Sequence, residues 1–119
     1  MSTTKPAGHY SPYVRSNGFI FTSGQLPIIN RETNEVPADI KEQTHIVLQK
    51  VEALLQQEGL DRTAIVKTTA FITDIAHWPA VNEAYIEFFG DHKPARSIIP
   101  TPSLNHGCKI ELEAIASIS

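Results

Sequence analysis

The chain has 119 residues, 41% of them hydrophobic and 19% charged, with 8 Pro and 6 Gly, which describes one ordinary globular domain, 1–119, and excludes disorder, collagen-like repeats and low complexity. A balance of 10 Lys and Arg against 13 Asp and Glu leaves a net charge of −3; this offers no broad positive field to a polyphosphate backbone, so nucleic acid is not an expected partner. The one cysteine, Cys108, can form neither an internal disulfide nor a thiolate metal cluster, which fits a reducing compartment.

Along the chain, no apolar stretch follows Lys5, and no window reaches the roughly 18 apolar residues of a membrane span, so a cytoplasmic protein with no membrane partner is expected. Val14-Arg15 and Phe19–Thr22 flank Asn17-Gly18, the strongest short hairpin signal because both turn residues tolerate positive φ. Gln25 to Ala38 holds Pro27, Asn30, Asn34 and Pro37 and reads as an irregular connection. Asp39 is a candidate N-cap with Glu42 three residues on. The helix that follows carries Ile40, Val47, Leu48, Val51, Leu54 and Leu55 at helical spacing and ends near Gly59.

Ile65 to Thr73 is rich in β-branched residues and reads as a strand, with Val66, Ala70 and Ile72 on one face and Lys67, Thr69 and Phe71 on the other. A second helix starts at Asp74 or His77, tolerates Pro79 in its first turn, repeats Val81, Ala84, Tyr85, Phe88 and Phe89, and is closed by Gly90. Ala95 to Ile99 and Cys108 to Ser117 complete the set as strands. The order strand, strand, helix, strand, helix, strand, strand predicts an α+β sheet with two helices on one face. In the last strand Cys108, Ile110, Leu112, Ala114 and Ala116 suit the helix layer. Lys109, Glu111, Glu113 and Ile115 form a mixed outer face that suits contact with other copies of the chain.

The five histidines are scattered without metal-ligand spacing, so no metal site is expected; His106, beside Gly107, is either a turn residue or part of a pocket rim. Ser23-Gly24 at a strand end can present backbone N–H groups to an anion, or can be a plain turn. There is no Gly-x-Gly-x-x-Gly, no phosphate loop and no Gly-x-Ser-x-Gly elbow. Arg96, between Pro94-Ala95 and Ile98-Ile99, sits in a strand that is partly dry, and its planar fork needs a carboxylate, either internal, the favoured reading, or belonging to a small ligand. Glu111 and Glu113 share one face of the last strand, where they serve either acid–base work or a solvated surface.

These residues recur in a characteristic order: Ser11-Pro12-Tyr13-Val14, Phe21-Thr22-Ser23-Gly24-Gln25-Leu26-Pro27, Asn82-Glu83-Ala84-Tyr85 with Phe88-Phe89, Pro94-Ala95-Arg96-Ser97, and Lys109 to Ala116. From Ser11 to Ala116 the chain resembles the RidA (YjgF/YER057c/UK114) family. The resemblance implies an α+β, chorismate-mutase-like fold with a mixed six-stranded sheet and two helices on one face. It also implies a homotrimeric barrel with ligand clefts between subunits. Active members hydrolyse 2-imino acids, formed from enamines, to 2-keto acids and ammonia without a cofactor. By position, Arg96 matches the arginine that grips the small substrate's carboxylate and Glu111 the glutamate that positions water. Ser23, Gly24, Tyr13 and Asn82 match residues lining or near the cleft.

The chain also departs from the family pattern. Ile98 stands where well-known members carry a cysteine, and Pro100 to Gly107 replaces their usual connection, with His106 as a candidate for substrate preference. Cys108 does not take over the missing thiol, because its phase points it into the helix layer as an inert packed group. The alternatives to deamination of 2-iminopropanoate or 2-iminobutanoate are a non-catalytic carboxylate binder or regulator of the same fold, and a deaminase of aminomuconate- or aminoacrylate-type substrates.

Overall fold

The structure, a computed structural model, describes residues 8–118; residues 1–7 and 119 of the expected domain lie outside the described part. Asn17 and Gly18 take φ of 52° and 83°, which is the left-handed backbone a two-residue hairpin loop requires between β1 (Tyr13–Ser16) and β2 (Phe19–Thr22). Ser16 pairs with Phe19 and Tyr13 with Thr22, so the loop fixes the register. Helix α1 (Ile40–Gln56) begins where the Asp39 carboxylate accepts the Glu42 N–H at 2.9 Å. It stops at Gln56, just short of Gly59, and buries Val47, Leu48, Val51, Leu54 and Leu55.

After β3 (Ile65–Ile72), Asp74 caps a short turn at Ile75–His77, which runs into helix α2 (Trp78–Phe89) with Pro79 in its first turn. Both starting points read from the sequence are therefore used, one for each segment. Gly90, at φ 61°, ends α2, and β4 (Ala95–Pro100) and β5 (Ile110–Ser117) follow. Among the described residues no helix is long and apolar enough to cross a membrane.

The strands form one mixed sheet in the order β1-β2-β5-β3-β4, with β3 and β4 parallel and the other pairs antiparallel. Among the described residues the sheet has five strands, as the periodicity predicts, where the family resemblance implied six. The Gln25–Ala38 connection contributes only isolated bridges, Gln25 with Leu112 and Asn30 with Glu35; its prolines lack the N–H that a continuous ladder needs, and Asn34 turns the chain at φ 58°.

The start of β3 also departs from the expected alternation. Val66 was expected to share the buried face with Ala70 and Ile72, but it is 41% exposed and Ile65 is fully buried instead. The register against β5 shifts between Ile65 and Lys67. This bulge reverses the alternation at the start of the strand.

One face of the sheet and both helices enclose the core, in which Ile20, Ile72, Ile110, Leu112, Leu48, Leu55 and Val81 are fully buried. The last strand alternates as the sequence predicts, with Ile110, Leu112, Ala114 and Ala116 inward. The opposite sheet face carries Val14, Phe19, Phe21 and Ile99, each at least 40% exposed in the single chain. Phe71 and Ile115 lie between them.

Candidate functional site

Arg96 lies on β4 directly opposite Thr68 of the parallel strand β3. Thr68 is fully buried on the helix side of the sheet, and its hydroxyl bonds that of Tyr85 at 2.7 Å. The bond fixes the Tyr85 ring, and burial pushes the phenol's pKa up to about 12, so it stays neutral. The Arg96 guanidinium rests over that ring, 4.8 Å from its centroid, and lies 5.4 Å from the Trp78 ring centroid. Its Nη1 donates to Asn82 Oδ1 at 3.0 Å.

Trp78, Asn82 and Tyr85 are spaced four and three apart, so α2 presents them on one face as a ready-made seat for the guanidinium. Sequence reasoning finds Asn82 but reads Tyr85 as core and passes over Trp78; the spacing around Asn82 was the available signal.

Of the two carboxylate partners left open for Arg96, an internal one is absent: none of the ion pairs among the described residues includes it. One donor goes to Asn82 and the remaining N–H groups have no acceptor among the described residues. They border a cleft of about 360 Å³ whose lining includes Ile86, Phe89, His92 and Lys93 but no carboxylate. This arrangement suits a small anion held by two parallel hydrogen bonds.

Glu111 belongs to a different place. It lies on β5 opposite Phe71, on the outer sheet face, between the inward-facing Ile110 and Leu112. Its carboxylate packs against Gly24 so closely that a Cβ there would overlap it. Only glycine admits this approach. Burial raises the Glu111 pKa above the ordinary glutamate value, and the nearby charge of Glu113 raises it further.

Gly24 is held in place by its neighbours. Gln25 exchanges two backbone bonds with Leu112, at 2.7 and 3.1 Å. Ser23 donates its N–H to Pro12 O at 2.8 Å and its Oγ–H to Ser11 O at 2.6 Å. Ser23 thus spends its donors on fastening the strand end, while the Gly24 N–H makes no hydrogen bond among the described residues.

The other sequence candidates stand apart from both groups. Tyr13 follows the Ser11-Pro12 anchor of Ser23, but its hydroxyl donates to Glu58 Oε2 at 2.7 Å. Ile98 faces inward and packs on the core. His106 is exposed in a tight turn at φ 60°, followed by Gly107 at 70°. Cys108 is 2% exposed, and burial pushes its thiol pKa up, against the pull of Lys50. Among the described residues no three His, Cys, Asp or Glu side chains gather as a metal site.

The chain therefore carries two separate groups of candidate residues, a guanidinium seat on the helix side of β4 and a carboxylate under a glycine on the outer face of β5. Residues 1–118 match the family described as Endoribonuclease L-PSP. A RutC family protein of Pyrococcus abyssi is 42% identical over 113 residues, covering 94% of this chain and 88% of the relative. The 2-iminobutanoate/2-iminopropanoate deaminase of Escherichia coli K12 is 39% identical over 122 residues, covering 98% and 94%. Among solved structures, the YjgF gene product of E. coli has a TM-score of 0.87 at 40% identity over 96% of this chain and 91% of that one. E. coli TdcF with bound serine has a TM-score of 0.87 at 38% identity over the same shares.

Proposed function

From the premise that the chain belongs to the RidA (YjgF/YER057c/UK114) family, we propose that it is an imine/enamine deaminase that converts small 2-imino acids to 2-keto acids and ammonia. One observation carries the reading: an arginine seated by Asn82, Tyr85 and Trp78, unpaired with any carboxylate of the described chain, turns its free donors to a cleft. A 2-imino acid supplies the missing carboxylate.

In the proposed reaction, Arg96 holds that carboxylate by two N–H donors and so fixes the planar C=N group beside it. Glu111 accepts a proton from a water molecule as the water oxygen bonds to C2 and the C=N electron pair moves to nitrogen. The amine nitrogen of the resulting carbinolamine takes the proton back from Glu111, the C–N bond breaks as the hydroxyl gives up its O–H proton and forms C=O, and ammonia and the keto acid leave. Water is the only co-reactant, and every proton returns to the amine or the solvent. A protonated imine is already electrophilic, so orientation and a placed base account for the rate. The raised pKa of Glu111 makes it a stronger base than an ordinary carboxylate. Substrates of the 2-iminopropanoate and 2-iminobutanoate type fit the relative's printed name; such an activity removes reactive metabolites in the cytoplasm.

Because Arg96 and Glu111 lie on opposite sides of one sheet, we further read the working unit as a homotrimeric, chorismate-mutase-like barrel. In it the guanidinium of one chain meets the Gly24–Glu111 half-site of a neighbour. The exposed apolar sheet face is the surface available for that assembly. The family description also names an endoribonuclease, but a net charge of −3 offers no field to a polyphosphate backbone.

A coupled assay that generates 2-iminopropanoate in situ tests the proposal. Wild type is expected to speed pyruvate formation over the uncatalysed decay, and Arg96→Ala or Glu111→Gln to lower that acceleration by about 100-fold or more. No acceleration by wild type overturns it.

A further inference from the structure

The segment after Gly24 has almost no ladder of its own, yet it must hold Gly24 over the Glu111 carboxylate. The first bonds beyond Gln25 come from a single side chain. Lys50, on α1, donates from Nζ to Leu26 O at 2.8 Å and to Ile28 O at 2.7 Å. We propose that Lys50 is a positioning residue for the Gly24–Glu111 half-site. Its ammonium fastens the strand end to α1, and Gln25 carries that constraint one residue back to Gly24.

Three observations support this. First, the two carbonyls are alternate residues of an irregular segment, so one cation closes both and fixes their spacing. Prolines 27 and 37 remove donors that the backbone would otherwise use for the purpose. Second, Lys50 is half-buried, and burial, then the charge of Arg31, lowers its pKa, while Cys108 acts in the opposite sense. Placing a lysine there has a cost, and the two carbonyl bonds offset it. Third, the charges of Lys50 and Glu111 both act on the buried Cys108 thiol, the first lowering and the second raising its pKa. The far end of the connection is fastened independently, by Gln43 Nε2 to Pro37 O at 2.6 Å and Lys109 Nζ to Ala38 O at 2.7 Å. Loss of Lys50 thus loosens the Gly24 end and leaves the other end attached.

The mechanism acts through hydration. Burial, then the charge of Glu113, raises the Glu111 pKa, and Gly24 lies directly against the carboxylate. If the strand end loosens, water reaches the carboxylate, the pKa falls toward the ordinary glutamate range, and the base weakens and drifts.

The inference rests on the proposed role of Glu111, so its test uses one readout that does not require turnover. The Glu111 side-chain carboxyl is titrated by carbon-13 NMR, assigned by comparison with Glu111→Gln, in wild type, Lys50→Met and Lys50→Gln. The same proteins are assayed with 2-iminopropanoate, and their melting temperatures and oligomeric states are compared. Lys50→Met keeps the apolar stem and removes the donors; Lys50→Gln keeps one amide donor group.

In Lys50→Met the expected results are a Glu111 midpoint moved down toward ordinary glutamate and kcat lower by about 10- to 100-fold with KM nearly unchanged, since the Arg96 seat is elsewhere. Lys50→Gln should fall between Lys50→Met and wild type in both. With an active wild type, an unmoved midpoint or an unchanged kcat overturns the inference. An inactive wild type overturns the deaminase reading instead, and the midpoint alone then decides for or against Lys50. If Lys50→Met does not fold, the same two readouts in Lys50→Gln decide the matter.

Discussion

The guanidinium of Arg96 owes its geometry to three residues on one helix face. Tyr85 is locked by the buried Thr68 hydroxyl, Asn82 takes one N–H, and Trp78 borders the other side. Arg96 was legible as a candidate because a guanidinium is unusual in that pattern, whereas Asn82 came only from the family resemblance. The seat was not, since Tyr85 has the spacing of a core residue and is one as well. Glu111 was legible as half of a carboxylate pair, but its contact with Gly24 was hidden, because a close approach between two strands leaves no periodic trace. That contact makes a prediction about stability. A carboxyl whose pKa is raised by folding contributes favourably while protonated, below the ordinary glutamate pKa, and opposes folding once the pH rises through the folded value. Glu111→Gln should therefore melt above wild type at pH 7. The gain should vanish below about pH 4, where both forms are neutral. Melting curves across that range check the sign.

At the level of elements, one ion pair joins α1, the Arg62–Ala64 turn and α2. Glu52 accepts from Arg62 Nε at 2.9 Å, from Nη2 at 2.7 Å and from the Arg62 backbone N–H at 2.8 Å. Arg62 Nη1 reaches Phe88 O at 2.6 Å, and the guanidinium lies 3.9 Å from the Phe88 ring centroid. The bonds from Arg62 hold the Glu52 pKa below its usual value. Stability from a depressed carboxyl is present above the unfolded pKa and is lost as pH falls through the folded one. Glu52→Gln should cost about 2–3 kcal/mol at pH 7, toward the low end for a buried pair because the Arg62 side chain is 39% exposed. The difference from wild type should shrink in acid; denaturant midpoints at pH 7 and pH 3 measure it. No sequence pattern announced this pair, since its partners lie ten residues apart across a turn. The elements themselves were legible where local chemistry decides them, as at Asn17-Gly18, Asp39 and Gly90. The bulge at Val66 was not, because β5 imposes it on β3 across the sheet.

For the molecule as a whole, the decisive feature is that Arg96 and Glu111, the two halves of the proposed site, occupy opposite sides of one sheet while an apolar face remains exposed. The helix layer and the chain order of strands and helices followed from period; the strand order within the sheet was not read from it, and a cleft between copies entered only through the family resemblance. Complementation tests for such a shared cleft. When Arg96→Ala and Glu111→Gln chains are unfolded together in equal amounts and refolded, each mixed trimer should regain one site in three, about one in four over the whole population, because each intact half then comes from a different chain. No recovery places both halves in one chain. The most direct measurement is the hydrolysis rate of 2-iminopropanoate by wild type and by Arg96→Lys in the coupled assay. Acceleration by wild type, with most of it lost in the lysine variant because a point charge cannot reproduce a bidentate fork, is the predicted result. A wild type no faster than uncatalysed decay, or a lysine variant as fast as wild type, contradicts a carboxylate clamp at Arg96.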